Sequence, residues 1–395
     1  MFGCPGLAAS WPNGIDEMTC SAARAGDRLD VLNVMWSGGS AFVSVQKVHR
    51  DILRQAGAGA RVESLLLQAG EADPLAELGL VSSFDLSANR IKGRGPRALR
   101  RWLDQRRLRA WIAERRPKVV LLDGMGVAAY VLPLLEACGD TRAVVLFHGA
   151  KRPRAADIRL LHDFNTDRLT LMAVSETLAA ELEQQLGRPV AGCRVAIEPV
   201  SFRSALLSRD AARAALGIAR GEHRVVGAIG RLVPDKGFDL LITSIADWLL
   251  ENPQDQLVIV GEGAARHDLL ALAHGMGVAG QVHLVGHHPQ VTQLYRAFDL
   301  MCIPSKQEGL GLVLPEAVIA GVPVLANDLP VFREQLSSVA GLLPSEGVEV
   351  WRRALAQTLE GDSRLLAETQ QAGLAAEAAW LRFVDTFRGI LASSR

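Results

Sequence analysis

The chain has 395 residues, which suits two domains of roughly two hundred residues each better than one core. Hydrophobic residues make up 49% and charged residues 22%, so each domain can bury a sizeable interior. A formal net charge of zero excludes a generally basic nucleic-acid coat. Cys4, Cys20, Cys138, Cys193 and Cys302 are scattered, odd in number and free of any C-x-x-C pair, which argues against a disulfide framework or a cysteine zinc site and for a reducing compartment. Residues 1–25 lack a basic segment followed by an apolar one, so no secretory signal is predicted, and no apolar run approaches the about 18–20 residues of a membrane span. A cytoplasmic protein is expected, with peripheral contact to the inner face of the cytoplasmic membrane left open.

In chain order, residues 1–27 read as irregular. Strand-length apolar runs then alternate with helical periodicity, the βαβ pattern of a parallel sheet covered on both faces. Strands are predicted at Asp30–Trp36, Arg61–Leu67, Lys118–Leu122, Ala143–Phe147 and Leu169–Val174, with helices at Val43–Gln55, Arg97–Arg115, Ala128–Cys138 and Glu176–Leu186. A β-rich piece over Val190–Ile197 runs into Glu198-Pro199-Val200, where proline discourages a continuing helix. After a helical segment at Arg209–Leu216 come strands at Arg224–Ile229, Gln256–Val260, Gln281–Val285, Leu300–Ile303 and Val322–Ala326. Helices are predicted over Phe238–Leu250, Ala265–His274, Pro289–Phe298, Pro315–Ala320 and Val350–Leu359. Trp380, Phe383, Val384 and Phe387 form one apolar face of a predicted terminal helix, with packing back on the first domain left open. The expected fold is α/β, two doubly wound Rossmann-like domains facing across a cleft, over 1–200 and 201–373, with a terminal helix over 374–395.

Four pieces of the second half carry chemistry. Gly230-Arg231-Leu232-Val233-Pro234-Asp235-Lys236-Gly237 sits between a strand and a helix, where glycine admits a close ligand and two cations neutralise a diphosphate. A loop with two solvated cations is the plain alternative. Gly261-Glu262-Gly263 makes another tight strand-to-helix turn, and Val285-Gly286 offers backbone against which a planar base can lie. The fourth piece, residues 304–317, sets Glu308 and Glu316 eight residues apart around Gly309, Leu310, Gly311 and Leu312, and enters a helix with Pro315 near its first position. Loop amides there can surround a sugar and its phosphates, and a carboxylate at Glu316 suits ribose hydroxyls. Two surface glutamates are the alternative.

The order and spacing of Gly230-Arg231, Lys236-Gly237, Gly261-Glu262-Gly263, Ser305-x-x-Glu308-Gly-x-Gly, Glu316-Ala and Gly321-x-Pro323-Val324 resemble the group 1 glycosyltransferases, the retaining GT-B enzymes with an E-x7-E motif related to glycogen and sucrose synthases. The resemblance implies that Arg231 and Lys236 hold the donor diphosphate and Glu316 the ribose, while Glu308 meets the donor sugar or stabilises charge at the anomeric carbon. It covers roughly residues 224–330; the first half matches in outline, through Ser37-Gly38-Gly39-Ser40, Val174-Ser175-Glu176 and His148. His148 is similar to the family's histidine that contacts the donor sugar, but Gly149 follows it in place of the acidic residue often found there. Gly38 and Gly39 admit either a close donor phosphate or an ordinary turn. No D-x-D triplet occurs, so no divalent metal and no other cofactor is expected. His283, His287 and His288 lack a matching carboxylate or cysteine pattern for a metal.

Residues 90–118 concentrate positive charge, including Arg97, Arg100, Arg101, Arg106 and Arg107, and Lys151 and Arg152 follow His148. A solvated helix face is one reading; a surface for an anionic glycan, a lipid-linked acceptor or anionic head groups is the preferred one. No nucleic-acid-binding fold accompanies the stretch. The resulting expectation is a retaining, metal-independent glycosyltransferase acting on a lipopolysaccharide core or another cell-surface polysaccharide. A nucleotide-sugar epimerase or hydrolase of the same fold, a dinucleotide oxidoreductase (disfavoured by the missing G-x-G-x-x-G) and a non-catalytic sugar-binding protein are the rivals.

Overall fold

The computed structural model describes residues 28–36, 43–68, 73–86, 98–136, 138–149, 152–218, 221, 223–337, 340–343 and 347–392. Strands β1 (Val31–Met35), β2 (Val62–Leu66), β3 (Leu80–Ser83), β4 (Val119–Asp123), β5 (Arg142–Phe147), β6 (Leu169–Ala173) and β7 (Ala191–Gly192) form one sheet in the order β3-β2-β1-β4-β5-β6-β7. Strands β8 (Val225–Ile229), β9 (Gln256–Val260), β10 (Val282–Gly286), β11 (Leu300–Ile303), β12 (Val324–Asn327) and β13 (Leu342–Leu343) form a second, ordered β10-β9-β8-β11-β12-β13. β8 pairs in parallel with both β9 and β11, as β1 does with β2 and β4. Each sheet therefore reverses its winding once, and ligands of such sheets bind at the carboxyl ends beside that reversal. These are the two Rossmann-like sheets of the GT-B fold.

Contacts divide the chain into two compact units, 1–144 with 163–169 and 145–162 with 170–393. In the first unit Val31, Leu32, Val34, Leu65, Leu66 and Val119 through Leu122 are fully buried, as expected for strands covered on both faces. Polar groups inside it are paired: Asn33 Nδ2 donates to Ser64 Oγ at 3.2 Å, and Asn33 Oδ1 lies 2.7 Å from His49 Nδ1. An amide oxygen only accepts, so His49 carries its proton on Nδ1. The Ala98–Arg115 helix ends on Arg115, which bonds Glu63 at 2.7 Å and stacks 3.6 Å over Trp111.

In the second unit the Phe238–Glu251 helix buries Phe238, Leu241, Ile242, Ile245 and Leu249 on one face, the spacing of an amphipathic helix. The Ala376–Ala392 helix stacks Trp380 on Phe383 at 5.3 Å and Phe383 on Phe387 at 4.8 Å, and Thr386 hydrogen-bonds the Cys193 thiol just beyond β7. One helix here is absent from the sequence expectations and one expectation differs. Glu198-Pro199 begins a helix, Pro199–Ala205: the Glu198 carboxylate accepts from Val200 N and Ser201 N, and proline at the first helical position has no amide to lose. The predicted 289–298 helix is two short 3-10 turns, Val291–Gln293 and Tyr295–Ala297.

The second sheet is braced by Arg213, 3% exposed, whose guanidinium donates to Asp299 Oδ2 at 2.8 Å and to the carbonyls of Ala297, Gly221 and His223. Asp299 Oδ2 in turn accepts from Val225 N at 2.7 Å, at the start of β8. Without Arg213, Asp299 keeps Arg209, whose Nη2 lies 2.6 Å from its Oδ1, but the carbonyls of Ala297, Gly221 and His223 lose their donor. Arg213→Ala is therefore expected to lower the stability of this unit by about 1–3 kcal/mol in urea unfolding, and Arg213→Lys by less. A loss below about 1 kcal/mol for Arg213→Ala would contradict this account of the brace.

Candidate functional site

Four neighbouring strands, β10, β9, β8 and β11, end side by side, and the four sequence motifs are the loops leaving those ends. Backbone contacts cross-link them. Gly230 N donates to Val260 O at 3.0 Å, Leu232 N to Glu262 O at 2.9 Å and Gly261 N to Gly286 O at 2.9 Å. Two glycines make this approach possible. A Cβ on Gly261 (φ +153°) would lie 1.8 Å from Gly230 O, and one on Gly237 (φ +65°) would lie 2.2 Å from Pro304 O. Both positions therefore demand glycine on steric as well as conformational grounds. Gly263 packs against Leu232 O, and Gly286 against the Glu262 carboxylate, which Arg266 also holds at 3.3 Å.

The loop after β8 meets the loop after β11 beside the winding reversal. There Lys236 Nζ donates to Glu308 Oε1 in an ion pair whose side chains are 19% and 13% exposed. Ser305 Oγ donates to the same oxygen at 2.8 Å, and Lys306 N donates to Asp235 O at 2.9 Å. Among the described residues, both hydrogen bonds of the Glu308 carboxylate fall on Oε1, which leaves Oε2 for other donors. Arg231 is exposed and, among the described residues, enters no ion pair or side-chain hydrogen bond. The constellation thus holds one cation engaged and one available.

Beyond Glu308 the chain enters the Val313–Ile319 helix from Leu312, so Pro315 is its third residue and Glu316 its fourth. Glu316 is buried, and Tyr295 Oη, itself fully buried, donates to its Oε2 at 2.5 Å. Burial, then the Glu316 charge, holds the Tyr295 hydroxyl well above its ordinary pKa, so it stays a donor. Gly309 lies against the backbone of His148, whose carbonyl oxygen would be 2.7 Å from a Cβ there. Burial pushes the His148 ring down to about 4, so it is neutral near pH 7. Gly311 packs on Phe332, and Gln335 Nε2 donates to Leu310 O at 2.9 Å. Asn327, at the end of β12, fixes the loop from beneath: its Nδ2 donates to Pro304 O and Ser305 O, and its Oδ1 accepts from Trp351 Nε1 at 2.9 Å.

The second unit therefore brings together His148, Gly230, Arg231, Lys236, Gly261, Gly263, Gly286, Glu308, Gly309, Leu310, Gly311, Leu312 and Glu316. Gly38, Gly39, Arg97 and Lys151 lie outside the described residues. Sequence reasoning gave no role to Tyr295, Asn327 or Gln335, whose contacts cross 21 to 25 residues and follow no local spacing. Ser305 had a signal, since it stands three residues before Glu308.

On the Ala98–Arg115 helix of the first unit, Arg100, Arg106 and Arg107 are exposed, and Arg101 lies 5.9 Å over the Tyr130 ring. Trp102 and Leu103, 52% and 47% exposed, lie among them, and Arg106 sits 5.6 Å over the Trp102 ring. Arg152 is exposed. No described helix is long and apolar enough to cross a membrane.

Residues 208–374 match the family described as glycosyl transferases group 1. The chain is similar to a D-inositol 3-phosphate glycosyltransferase of Segniliparus rotundus, 37% identical over 197 residues, which cover 47% of this chain and 43% of that one. It is also similar to the lipopolysaccharide core biosynthesis mannosyltransferase LpsB of Rhizobium meliloti, 34% identical over 31% of this chain and 36% of that one. The chain thus spans less than half the length of these curated relatives. In fold it is similar to Anabaena HepE in complex with UDP and glucose, with a TM-score of 0.71 at 20% identity over 92% of this chain and 98% of that one. Residues 208–374 are thus similar to the group 1 glycosyl transferases, carried on a chain of GT-B fold.

Proposed function

We propose that the protein is a retaining, metal-independent glycosyltransferase that moves a sugar from a nucleoside-diphosphate sugar to an anionic glycan or lipid-linked acceptor, in the synthesis of a lipopolysaccharide core or another cell-surface polysaccharide. The observation that carries this reading is the Lys236–Glu308 ion pair beside the exposed Arg231, at the reversal point of a doubly wound sheet. Two cations at that point match a diphosphate, and the chain has no D-x-D triplet to hold a bridging metal. UDP and glucose in HepE support a nucleotide-sugar donor, and LpsB supports a lipopolysaccharide product.

In this mechanism Arg231 and Lys236 stabilise the leaving nucleoside diphosphate and the Glu316 carboxylate anchors the ribose. Glu308 presents Oε2 to the donor sugar as positive charge builds at the anomeric carbon. The C–O bond to the leaving phosphate breaks, the acceptor oxygen attacks from the same face and the phosphate takes the acceptor proton. No protein nucleophile is needed, and the neutral His148 ring offers a hydrogen bond to the sugar.

Thermal shift against UDP, GDP, ADP and CMP tests the donor side. One nucleoside diphosphate is expected to stabilise the wild-type chain, by about 2.7 kcal/mol at a hundredfold excess over Kd. Lys236→Ala and Glu316→Ala should each abolish that shift. No shift with any of the four in the wild type would sink the reading.

The acceptor side rests on the helix that exposes Arg100, Arg106, Arg107, Trp102 and Leu103, a basic and apolar face suited to anionic head groups or an anionic acceptor at the inner membrane surface. Arg100→Glu, Arg101→Glu, Arg106→Glu and Arg107→Glu together should weaken binding to vesicles containing an anionic lipid, or acceptor use, while nucleotide binding stays unchanged. Unaltered vesicle binding and acceptor use would exclude this surface.

A further inference from the structure

The Pro330–Leu336 helix touches the candidate donor loop with one set of side chains and a distant helix start with another. Towards the loop, Phe332 packs on Gly311, and Gln335, 3% exposed, donates from Nε2 to Leu310 O at 2.9 Å. Away from it, the Glu334 carboxylate accepts from Glu176 N at 2.8 Å, Thr177 N at 2.9 Å and Thr177 Oγ1 at 2.7 Å. Those amides open the Glu176–Leu186 helix, where unpaired N–H groups and the positive end of the helix dipole favour a carboxylate. The carbonyls of Glu334 and Gln335 accept from Arg194 Nη1 at 3.2 and 2.6 Å, and Arg194 Nη2 reaches Leu374 O at 2.8 Å. Adjacent residues of one short helix are thus committed to two different segments.

We propose that the Pro330–Leu336 helix is a strut that couples occupancy of the 308–312 loop to the capped start of the Glu176–Leu186 helix, with Gln335 and Glu334 as positioning residues for the nucleotide sugar. The inference rests on the donor assignment made above. When phosphates engage the loop amides, the Leu310 carbonyl and the Gly311–Phe332 contact fix the helix, and the helix holds the Glu334 carboxylate on its two amides. Linkage then requires the reverse effect: loss of the Glu334 cap must weaken nucleotide binding by the factor by which nucleotide strengthens the cap.

The test uses the full chain and whichever of UDP, GDP and ADP binds the wild type most tightly. Amide hydrogen exchange at Glu176 and Thr177 should slow on adding the nucleotide to the wild-type chain, and this slowing should vanish in Gln335→Met. By calorimetry, Glu334→Ala, whose altered side chain does not face the loop, should raise the nucleotide Kd by about fivefold or more. A merely structural role for Glu334 would lower Tm and leave Kd unchanged, which overturns the proposal, as would wild-type exchange at Glu176 and Thr177 that ignores bound nucleotide. The wild-type exchange measurement needs no variant to fold. Failure of the wild type to bind any nucleotide would instead refute the donor assignment, and the strut with it.

Discussion

The Lys236–Glu308 ion pair is the interaction on which the site's geometry turns. It joins the loop after β8 to the loop after β11, where the chain reverses its direction of winding through the sheet. Crossovers leave that point in opposite directions, so no helix or strand bridges the two loops there. Coulomb attraction between two largely buried groups, reinforced by the Gly237–Pro304 contact and the Lys306–Asp235 hydrogen bond, does so instead. The pair also sets the electrostatics. Lys236 and Glu308 neutralise each other, so a dianionic ligand has to compete with Glu308 for Lys236. Arg231, exposed in the same loop as Lys236, is the second cation in the proposed function.

A pair of this kind holds its position only if its backing is firm. Asn327 supplies that backing, because it meets two loop carbonyls and the Trp351 indole at once, inside an apolar layer where an unmade hydrogen bond is costly. Tyr295 does the same for Glu316.

Much of this was legible in the sequence, and unevenly. The Gln256–Val260 and Leu300–Ile303 strands and the Glu176–Leu186 helix match their predicted bounds, because continuous apolar runs and an N-capping serine leave little choice. The Ala155–Asp163, Pro330–Leu336 and Ser363–Leu374 helices went unread; the first two are short, and the third has few apolar positions to set its phase. Lys236 and Glu308 were both named, but their contact was not, since 72 residues separate them and no local period reports it. The polar backing was hidden for the same reason: Tyr295, Asn327 and Gln335 act through tertiary contacts made by side chains that are unremarkable in their local sequence.

The two halves also differ in how tightly chemistry constrains them. Binding a diphosphate demands glycine where backbones touch, cations at fixed reach and a carboxylate for vicinal hydroxyls, so residues 230–316 carry a spaced pattern that survives translation into geometry. A surface that attracts an anionic acceptor or head group needs only net positive charge and some apolar area. Arginines at many positions of the Ala98–Arg115 helix satisfy that requirement equally well. Under the proposed function, donor chemistry is therefore written as a motif and acceptor attraction as a composition, so the second half of the chain specifies residues while the first specifies a face.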